Sequence, residues 1–298
     1  MNIPDLRQLR YFMAVAERLH FGHAADALHI SQPPLSRAIR GLEDELGVAL
    51  FVRTRRRVEL TAQGARLLEE ARRVTGQLER TVRELRAMAT GEQARLRIGF
   101  VSLADYGLLP ELLKSYKAAQ PGVTLSLREM LSPEQAAGLA GGELDFGLLL
   151  PPVDGASNLE HLVVQRERFV VALPARHRLA AGESKLGLRE LAGEPFVTIP
   201  RQIAPRLYDI VAQLAAQAGI SINVAQEAIQ MQTVVSLVSS GLGAAVVPAS
   251  VANLGRRGVV YRELADRHPR LDLWLAWRRG PLAPAAREFV AQARRLAR

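Results

Sequence analysis

Residues 23–61 constrain this chain more than any other stretch of its sequence. A short Ala-rich helical segment, His23 to Leu28, is followed by a polar turn, His29-Ile30-Ser31, and then by a longer helix from about Gln32 to Leu46. Ser31 suits the N-cap, and Pro33 and Pro34 fall in the first turn, where a missing N–H does no harm. Leu35, Ile39, Leu42 and Leu46 recur at helical spacing and form one buried stripe. The opposite face carries Gln32, Pro33, Ser36, Arg37 and Arg40. Two helices joined by a tight turn, the second exposing amide, hydroxyl and guanidinium groups, suit a recognition helix in a DNA major groove.

Gly47 ends that helix. The chain then alternates as a hairpin, Leu50 to Leu60, tipped by Arg53-Thr54-Arg55-Arg56-Arg57. Four arginines in five residues form a wing suited to phosphates or the minor groove. The expected DNA contacts are therefore Ser31, Gln32, Pro33, Ser36, Arg37 and Arg40 from the helix, with Arg53, Arg55 and Arg56 from the wing. A solvated basic loop on an unrelated helical domain is the bland alternative. Net charge supports an anionic partner: 39 Lys and Arg against 30 Asp and Glu give +9. The excess is not confined to the N-terminus, since residues 1–90 hold 15 Arg against 11 acids and the remainder 24 basic against 19 acidic residues.

The matching elements run in order through Leu9-Arg10-Tyr11-Phe12, Ala24-Ala25, Leu28 and Ser31-Gln32-Pro33-Pro34-Leu35-Ser36. They continue through Leu42-Glu43, Leu46-Gly47, Leu50-Phe51, Arg53, Leu60-Thr61 and Gly64. On these residues the sequence resembles the LysR-type transcriptional regulators. The resemblance implies an N-terminal winged helix-turn-helix, a long linker helix, and an effector domain of two α/β lobes like a periplasmic solute-binding protein. It also implies homodimers through the linker helix, tetramers through effector-domain contacts, promoter DNA as partner and recruitment of RNA polymerase.

The rest of the chain follows that plan. The first helix spans about residues 5–19, with Leu6, Leu9, Phe12, Met13, Ala16 and Leu19 as its apolar side. Thr61 caps a helix to about Met88 in which Gly64, Leu67, Ala71, Val74, Leu78, Thr81, Leu85 and Met88 alternate three and four apart. That heptad seam, running the whole length of the helix, predicts pairing with a second copy, and about 28 residues make a strut of roughly 42 Å. After a break at Thr90-Gly91-Glu92-Gln93, strand and helix signals alternate, which predicts parallel α/β sheets with ligands at strand carboxyl ends. The expected domains are 1–60, 61–90 and 95–298. The last divides into lobe I (95–164 and 266–298) and lobe II (165–265), with hinges near Gln165–Arg168 and Leu264–Arg267.

Ser132-Pro133-Glu134-Gln135 reads as a capped helix start, with Ser132 as N-cap and Gln135 completing a capping box. Ser102 ends the first strand at the equivalent place. The resemblance puts Ser102, Ser132, the Arg201-Gln202-Ile203 loop, Gln230 and Val247 at or near an effector cleft. Arg201 is the candidate partner for a carboxylate, and a small organic or aromatic acid is the expected effector. No cofactor is expected, and no metal-binding cluster, nucleophile elbow or phosphate loop occurs, so the chain is not expected to be an enzyme. Asp145 is expected to hydrogen-bond structurally. Cysteine is absent. No apolar run reaches the roughly 18 residues of a membrane helix, and the N-terminus lacks a secretory core, which predicts a cytoplasmic protein. A solute-binding module without a transcriptional role is the alternative, which the winged helix opposes.

Overall fold

A computed structural model of the chain describes residues 3–54, 57–90, 94–182 and 184–297, with the backbone alone at 80, 83, 84 and 86–90. It divides into an N-terminal unit and a C-terminal unit.

The N-terminal unit contains α1 (Leu6–Arg18), α2 (Phe21–Ala27), α3 (Gln32–Leu46), β1 (Phe51–Arg53), β2 (Val58–Leu60) and α4 (Ala62–Thr90). Asp5 caps α1 by accepting from the Gln8 N–H at 2.7 Å, while the Gln8 side chain accepts from the Asp5 N–H at 2.8 Å. Leu9, Phe12, Val15 and Ala16 are buried, but Leu6 and Leu19 are exposed. The predicted apolar stripe of α1 therefore includes one exposed residue at each end. Leu6 is the first helical residue and Leu19 is already the left-handed C-cap at φ 48°, so both lie at the ends of the helix. α2 begins two residues earlier than predicted because His20 caps it, its Nδ1 accepting from the His23 N–H at 3.2 Å. Phe12, Val15, Leu35, Ile39, Leu42, Leu50 and Phe51 form the shared core of this unit.

The α4 seam behaves differently along its length. Thr61 caps it as predicted, accepting from the Gly64 N–H at 2.9 Å. Gly64 must be glycine, because a Cβ there would lie 2.1 Å from the Leu50 carbonyl oxygen. Gly64 and Ala71 are buried and Leu67 packs against the winged-helix core. Further along, Val74, Leu78, Val82 and Leu85 are 42, 43, 37 and 59% exposed. Only the second half of the seam is thus available to another chain; the first half serves its own domain. Met88 lies outside the described side chains.

In the C-terminal unit, lobe I is a five-stranded sheet in the order β4 (Thr124–Glu129), β3 (Arg95–Phe100), β5 (Phe146–Leu149), β12 (Leu271–Arg278), β6 (Leu159–Glu167). It is flanked by α5 (Ser102–Asp105), α6 (Leu108–Ala119), α7 (Ser132–Ala140) and α10 (Pro284–Leu296). Lobe II contains β7 (Phe169–Pro174), β8 (Pro195–Thr198), α8 (Pro205–Ala218), β9 (Asn223–Glu227), α9 (Met231–Ser239), β10 (Ala245–Pro248) and β11 (Val259–Glu263). Its strands form β10-β7-β11 and β8-β9 sheets, bridged where the Val197 N–H donates to the Ala244 carbonyl at 2.8 Å. The lobe II order β9-β8-β10-β7-β11 therefore repeats the lobe I order strand for strand.

The expected all-parallel sheets are mixed. β3 is parallel to β4 and β5, and β8 to β9, but β12 is antiparallel to β5 and β6, and β7 is antiparallel to β10 and β11. The antiparallel members are the strands that change lobe. β6 stays in the lobe I sheet as far as Glu167, paired with Leu271, and β7 begins at Phe169 in lobe II. One crossing is thus Arg168, and the other is the segment between β11 and β12.

Ile98, Leu112, Tyr116, Phe146, Leu275 and Phe289 fill lobe I, where the Tyr116 hydroxyl donates to the Ala285 carbonyl at 3.0 Å and burial pushes its phenol up to about 12. Phe169, Val171, Phe196, Ile210, Leu214, Val235 and Val238 fill lobe II. Asp145 has the structural role expected of it, receiving the Arg97 backbone N–H at 2.8 Å and both ends of its guanidinium at 3.1 and 2.8 Å. Asp145→Ala is expected to lower stability by about 2 kcal/mol, read as a lower urea midpoint; a loss under about 0.5 kcal/mol, the range of an ordinary surface substitution, contradicts this account.

Candidate nucleic-acid interface and ligand site

The recognition helix α3 starts and ends at the predicted residues. Leu35, Ile39 and Leu42 are buried and Leu46 is partly buried, whereas Gln32, Pro33, Arg37 and Arg40 are exposed and Ser36 is half-buried. The amphipathic reading is therefore realised residue by residue. Among the described residues neither Arg37 nor Arg40 has an ion-pair or hydrogen-bond partner, so both guanidinium forks are free to meet a base edge or a phosphate. Ser31 stands at the N-cap with extended backbone (φ −77°, ψ 153°), yet its hydroxyl makes no capping bond. The turn before it depends instead on His29, which takes a left-handed conformation at φ 54° and brings the Ile30 N–H back to the Ala25 carbonyl at 3.0 Å.

The wing departs from expectation. Arg53 is folded onto its own domain, pairing with Glu43 and lying 5.1 Å over the Phe21 ring. Glu43, on α3, also accepts the backbone N–H groups of Leu50 at 2.9 Å and Phe51 at 3.1 Å. One carboxylate thus fastens the start of the wing to the recognition helix. Periodicity alone could not reveal this, because Glu43 lies beside the apolar stripe and reads as solvated. Arg57 pairs with Glu59, two residues along the same arm of the hairpin, at 2.5 Å. Arg55 and Arg56 lie outside the described residues.

The expected effector residues lie after the carboxyl ends of strands, except Val247, which is inside β10, and they are not equally available. Ser102 is the first residue of α5, whose Leu103 and Tyr106 belong to the core of lobe II although α5 follows a lobe I strand. Burial pushes the Tyr106 phenol up, opposed by the neighbouring Ser102 hydroxyl. Ser132 is not the N-cap of α7 but its first helical residue. Leu131 holds the cap position, its N–H donating to Glu134 at 3.0 Å, while the Gln135 amide donates to the Met130 carbonyl. The predicted capping box is shifted by one residue, and Gln135 is wholly buried. The Ser132 hydroxyl oxygen instead accepts the Leu150 N–H at 3.0 Å, which leaves its own proton to donate.

In lobe II, Arg201 is engaged with Asp209 at 2.9 and 3.4 Å, and that hydrogen bond holds the Asp209 carboxyl below the usual carboxylate range. The loop suggested a free guanidinium at Arg201; in the structure it is held in a solvent-exposed ion pair. Val247 is buried and paired with Val170, so it is core. Gln202 and Gln230 are exposed, Gln230 at the start of α9, and Ile203 packs against the lobe II core.

Residues outside the predicted effector set, some of them in the predicted hinge at Gln165–Arg168, join the lobes. The Asn253 amide donates to the Tyr106 carbonyl at 2.7 Å, and the Gln165 side chain accepts the Leu108 N–H at 3.1 Å and donates to Glu167. Glu167, 4% exposed, also accepts the Ser250 N–H at 3.2 Å. Among the described residues no group of acidic and histidine side chains is placed to hold a metal, and no helix is long and apolar enough to cross a membrane.

A winged helix with an open basic recognition face, carried on the same chain as a two-lobed α/β unit, defines a ligand-responsive DNA-binding regulator. Residues 6–65 match the bacterial regulatory helix-turn-helix protein, lysR family, and residues 89–298 match the LysR substrate binding domain. The chain belongs to the LysR family of DNA-binding transcriptional regulators. It is 44% identical over 285 residues to the HTH-type transcriptional regulator IlvR of Caulobacter vibrioides, covering 94% of each chain. With the HTH-type transcriptional regulator AlsR of Bacillus subtilis it shares 39% identity over 96% of this chain and 94% of that one. Full-length CbnR in complex with its target DNA superposes with a TM-score of 0.60 at 29% identity, covering 99% of this chain and 100% of that chain. These relatives are regulators, not enzymes or mere solute-binding proteins, and the family's members bind DNA and small-molecule effectors and form oligomers.

Because Arg53 is spent inside the domain, Arg53→Ala is expected to destabilise it by about 1–3 kcal/mol, whereas Arg37→Ala changes stability by no more than about 0.5 kcal/mol. Thermal melting of the two variants checks this; equal midpoints would return Arg53 to the DNA face.

Proposed function

We propose that α3 reads a base sequence in the major groove of promoter DNA through Gln32, Ser36, Arg37 and Arg40, with Ser31 and Pro33 against the backbone. The carrying observation is the pair of unpartnered guanidinium groups on the exposed face of α3. Arg53 acts through Glu43 as a positioning residue, and Arg55 and Arg56 are the wing's proposed phosphate contacts. Arg37→Ala or Gln32→Ala weakens specific binding by about 1–3 kcal/mol wherever the residue reads a base. Competition between operator and random duplex measures this, and equal losses on both duplexes assign the residue to phosphate contact alone. The protein acts in the cytoplasm, where its promoter lies.

The active species is a homodimer joined through the second half of the α4 seam, which makes the DNA target roughly two-fold symmetric. Three exposed apolar residues at heptad spacing, Val74, Leu78 and Leu85, with the exposed Val82 beside the seam, support this reading. Dimers pair into tetramers through the effector domains. Leu127 and Leu131, on and after edge strand β4, and Val224 and Ile229, on and after the equivalent edge strand β9, are exposed and suit a self-complementary contact. Leu78→Glu with Leu85→Glu is expected to convert the protein to monomers in sedimentation equilibrium and to abolish operator binding at concentrations where the wild type saturates. Dimers that persist in the double variant would place the joint elsewhere.

The effector is a small organic acid held between the lobes without a cofactor. Its carboxylate is received by the Ser132 hydroxyl proton, the free N–H groups at the start of α7, and Ser102. Binding changes the relative setting of the DNA-binding pairs, the bend of the promoter and the contact with RNA polymerase. A thermal-shift screen of aliphatic and aromatic acids, repeated with Ser132→Ala, tests the assignment. A midpoint rise that Ser132→Ala abolishes supports it, and a rise unchanged in the variant moves the effector to another site.

A further inference from the structure

The two crossings between the lobes lie side by side. β6 and β12 remain paired to Glu167 and Leu271, and β7 and β11 to Val170 and Glu263. At this junction is a cavity of about 390 Å³ lined by residues of both crossings, among them Arg168 from the first and Arg267 and Arg270 from the second. None of the residues proposed for the organic-acid effector lines it.

Its charge is unbalanced. Arg168, Lys185, Arg267 and Arg270 bring four cations against the two carboxylates of Glu263 and Asp266. Glu263 is divided between Arg168 and Lys185, 3.4 Å from each, and all three side chains are more than half exposed. Such shared, solvated pairs hold weakly. Asp266 is committed elsewhere, accepting the Leu188 N–H at 2.7 Å. Among the described residues Arg267 and Arg270 have no hydrogen-bond or ion-pair partner. One wall is the His268 ring, edge-on to Phe169 at 5.5 Å. Like charges gathered in a concave site raise the local potential and attract an anion, and guanidinium forks match the geometry of phosphate and carboxylate oxygens.

We propose that this cavity is a hinge anion site taking a small oxyanion with at least two negative charges, bridging Arg168 to Arg267 and Arg270. An anion held by both crossings fixes their separation, so its affinity depends on the angle between the lobes. By reciprocity it changes the affinity of any ligand that closes them. The site stands apart from the effector reading, because its residues and its ligand class are different.

Calorimetric titration of the full chain at constant ionic strength tests this, with pyrophosphate, malonate and acetate as probes. The wild type is expected to bind pyrophosphate or malonate saturably, one per chain, and not acetate. Pyrophosphate binding alone identifies a phosphorylated ligand, and malonate binding alone a dicarboxylate. Arg267→Gln with Arg270→Gln is expected to weaken the dianion at least tenfold, while Arg37→Gln on the recognition helix leaves it unchanged. Equal binding by the hinge double variant, loss in Arg37→Gln instead, equal acetate binding, or no saturable binding overturns the proposal. Where the double variant does not fold, hydrogen exchange of the wild type decides. Slower exchange in residues 165–170 and 264–271 with the dianion supports the site, and unchanged exchange there overturns it.

Discussion

The Glu43 carboxylate holds the DNA-binding end of this protein in one shape. It sits on the recognition helix, takes two backbone N–H groups at the start of the wing, and neutralises Arg53. A charge-assisted bond to a partly buried acceptor is roughly twice as strong as a neutral one, and three of them converge here. Without that anchor, a hairpin of two three-residue strands would have little to fix it, since isolated two-stranded hairpins are marginal in water. The consequence is a division of labour among the arginines. Those that stabilise the reader are folded inward, and those with free guanidinium groups stay on the face of α3.

A similar division appears in α4. Its heptad pattern is continuous in sequence, yet the structure spends Gly64, Leu67 and Ala71 on the helix's own domain and leaves Val74, Leu78, Val82 and Leu85 exposed. The close approach at Gly64, where no side chain fits against the Leu50 carbonyl, decides where the helix is seated and so where the free part of the seam begins. A heptad repeat records that a face is apolar; it does not record what covers that face.

The same limit explains what could be read from the sequence and what could not. Periodicity located α3 to the residue because it combines a clean apolar pattern with polar, proline and glycine boundaries. It misjudged the sheets as all parallel because strand direction at a lobe crossing depends on which sheet the next strand joins, a long-range choice with no local signal. The helix start at Ser132 was displaced by one residue, since Glu134 reaching back to the Leu131 N–H outcompetes the Ser132 hydroxyl, which is drawn to Leu150. Arg201 and Arg53 looked like free cations for the same reason. A sequence shows the charge and not the partner, here Asp209 one turn into α8 and Glu43 on α3.

The strand repeat of the two lobes bears on how a ligand acts. Two identical strand orders, each ending in a strand that leaves for the other lobe, give a hinge with only two chain crossings, so backbone connectivity resists rotation weakly. Resistance comes from the contacts beside the crossings. Leu103 and Tyr106 are packed in the lobe II core, Asn253 is bonded to the Tyr106 carbonyl, and the buried Glu167 spans Gln165 and Ser250. A rotation that separated these groups would take the Ser250 N–H from the buried Glu167 and the Asn253 amide from the Tyr106 carbonyl, which costs more than a surface rearrangement. The permitted motion is therefore one that pivots on α5 and Glu167 and keeps both bonded. Ser102, as the first residue of α5, lies on that pivot, so a ligand touching it acts where a small displacement turns one lobe against the other.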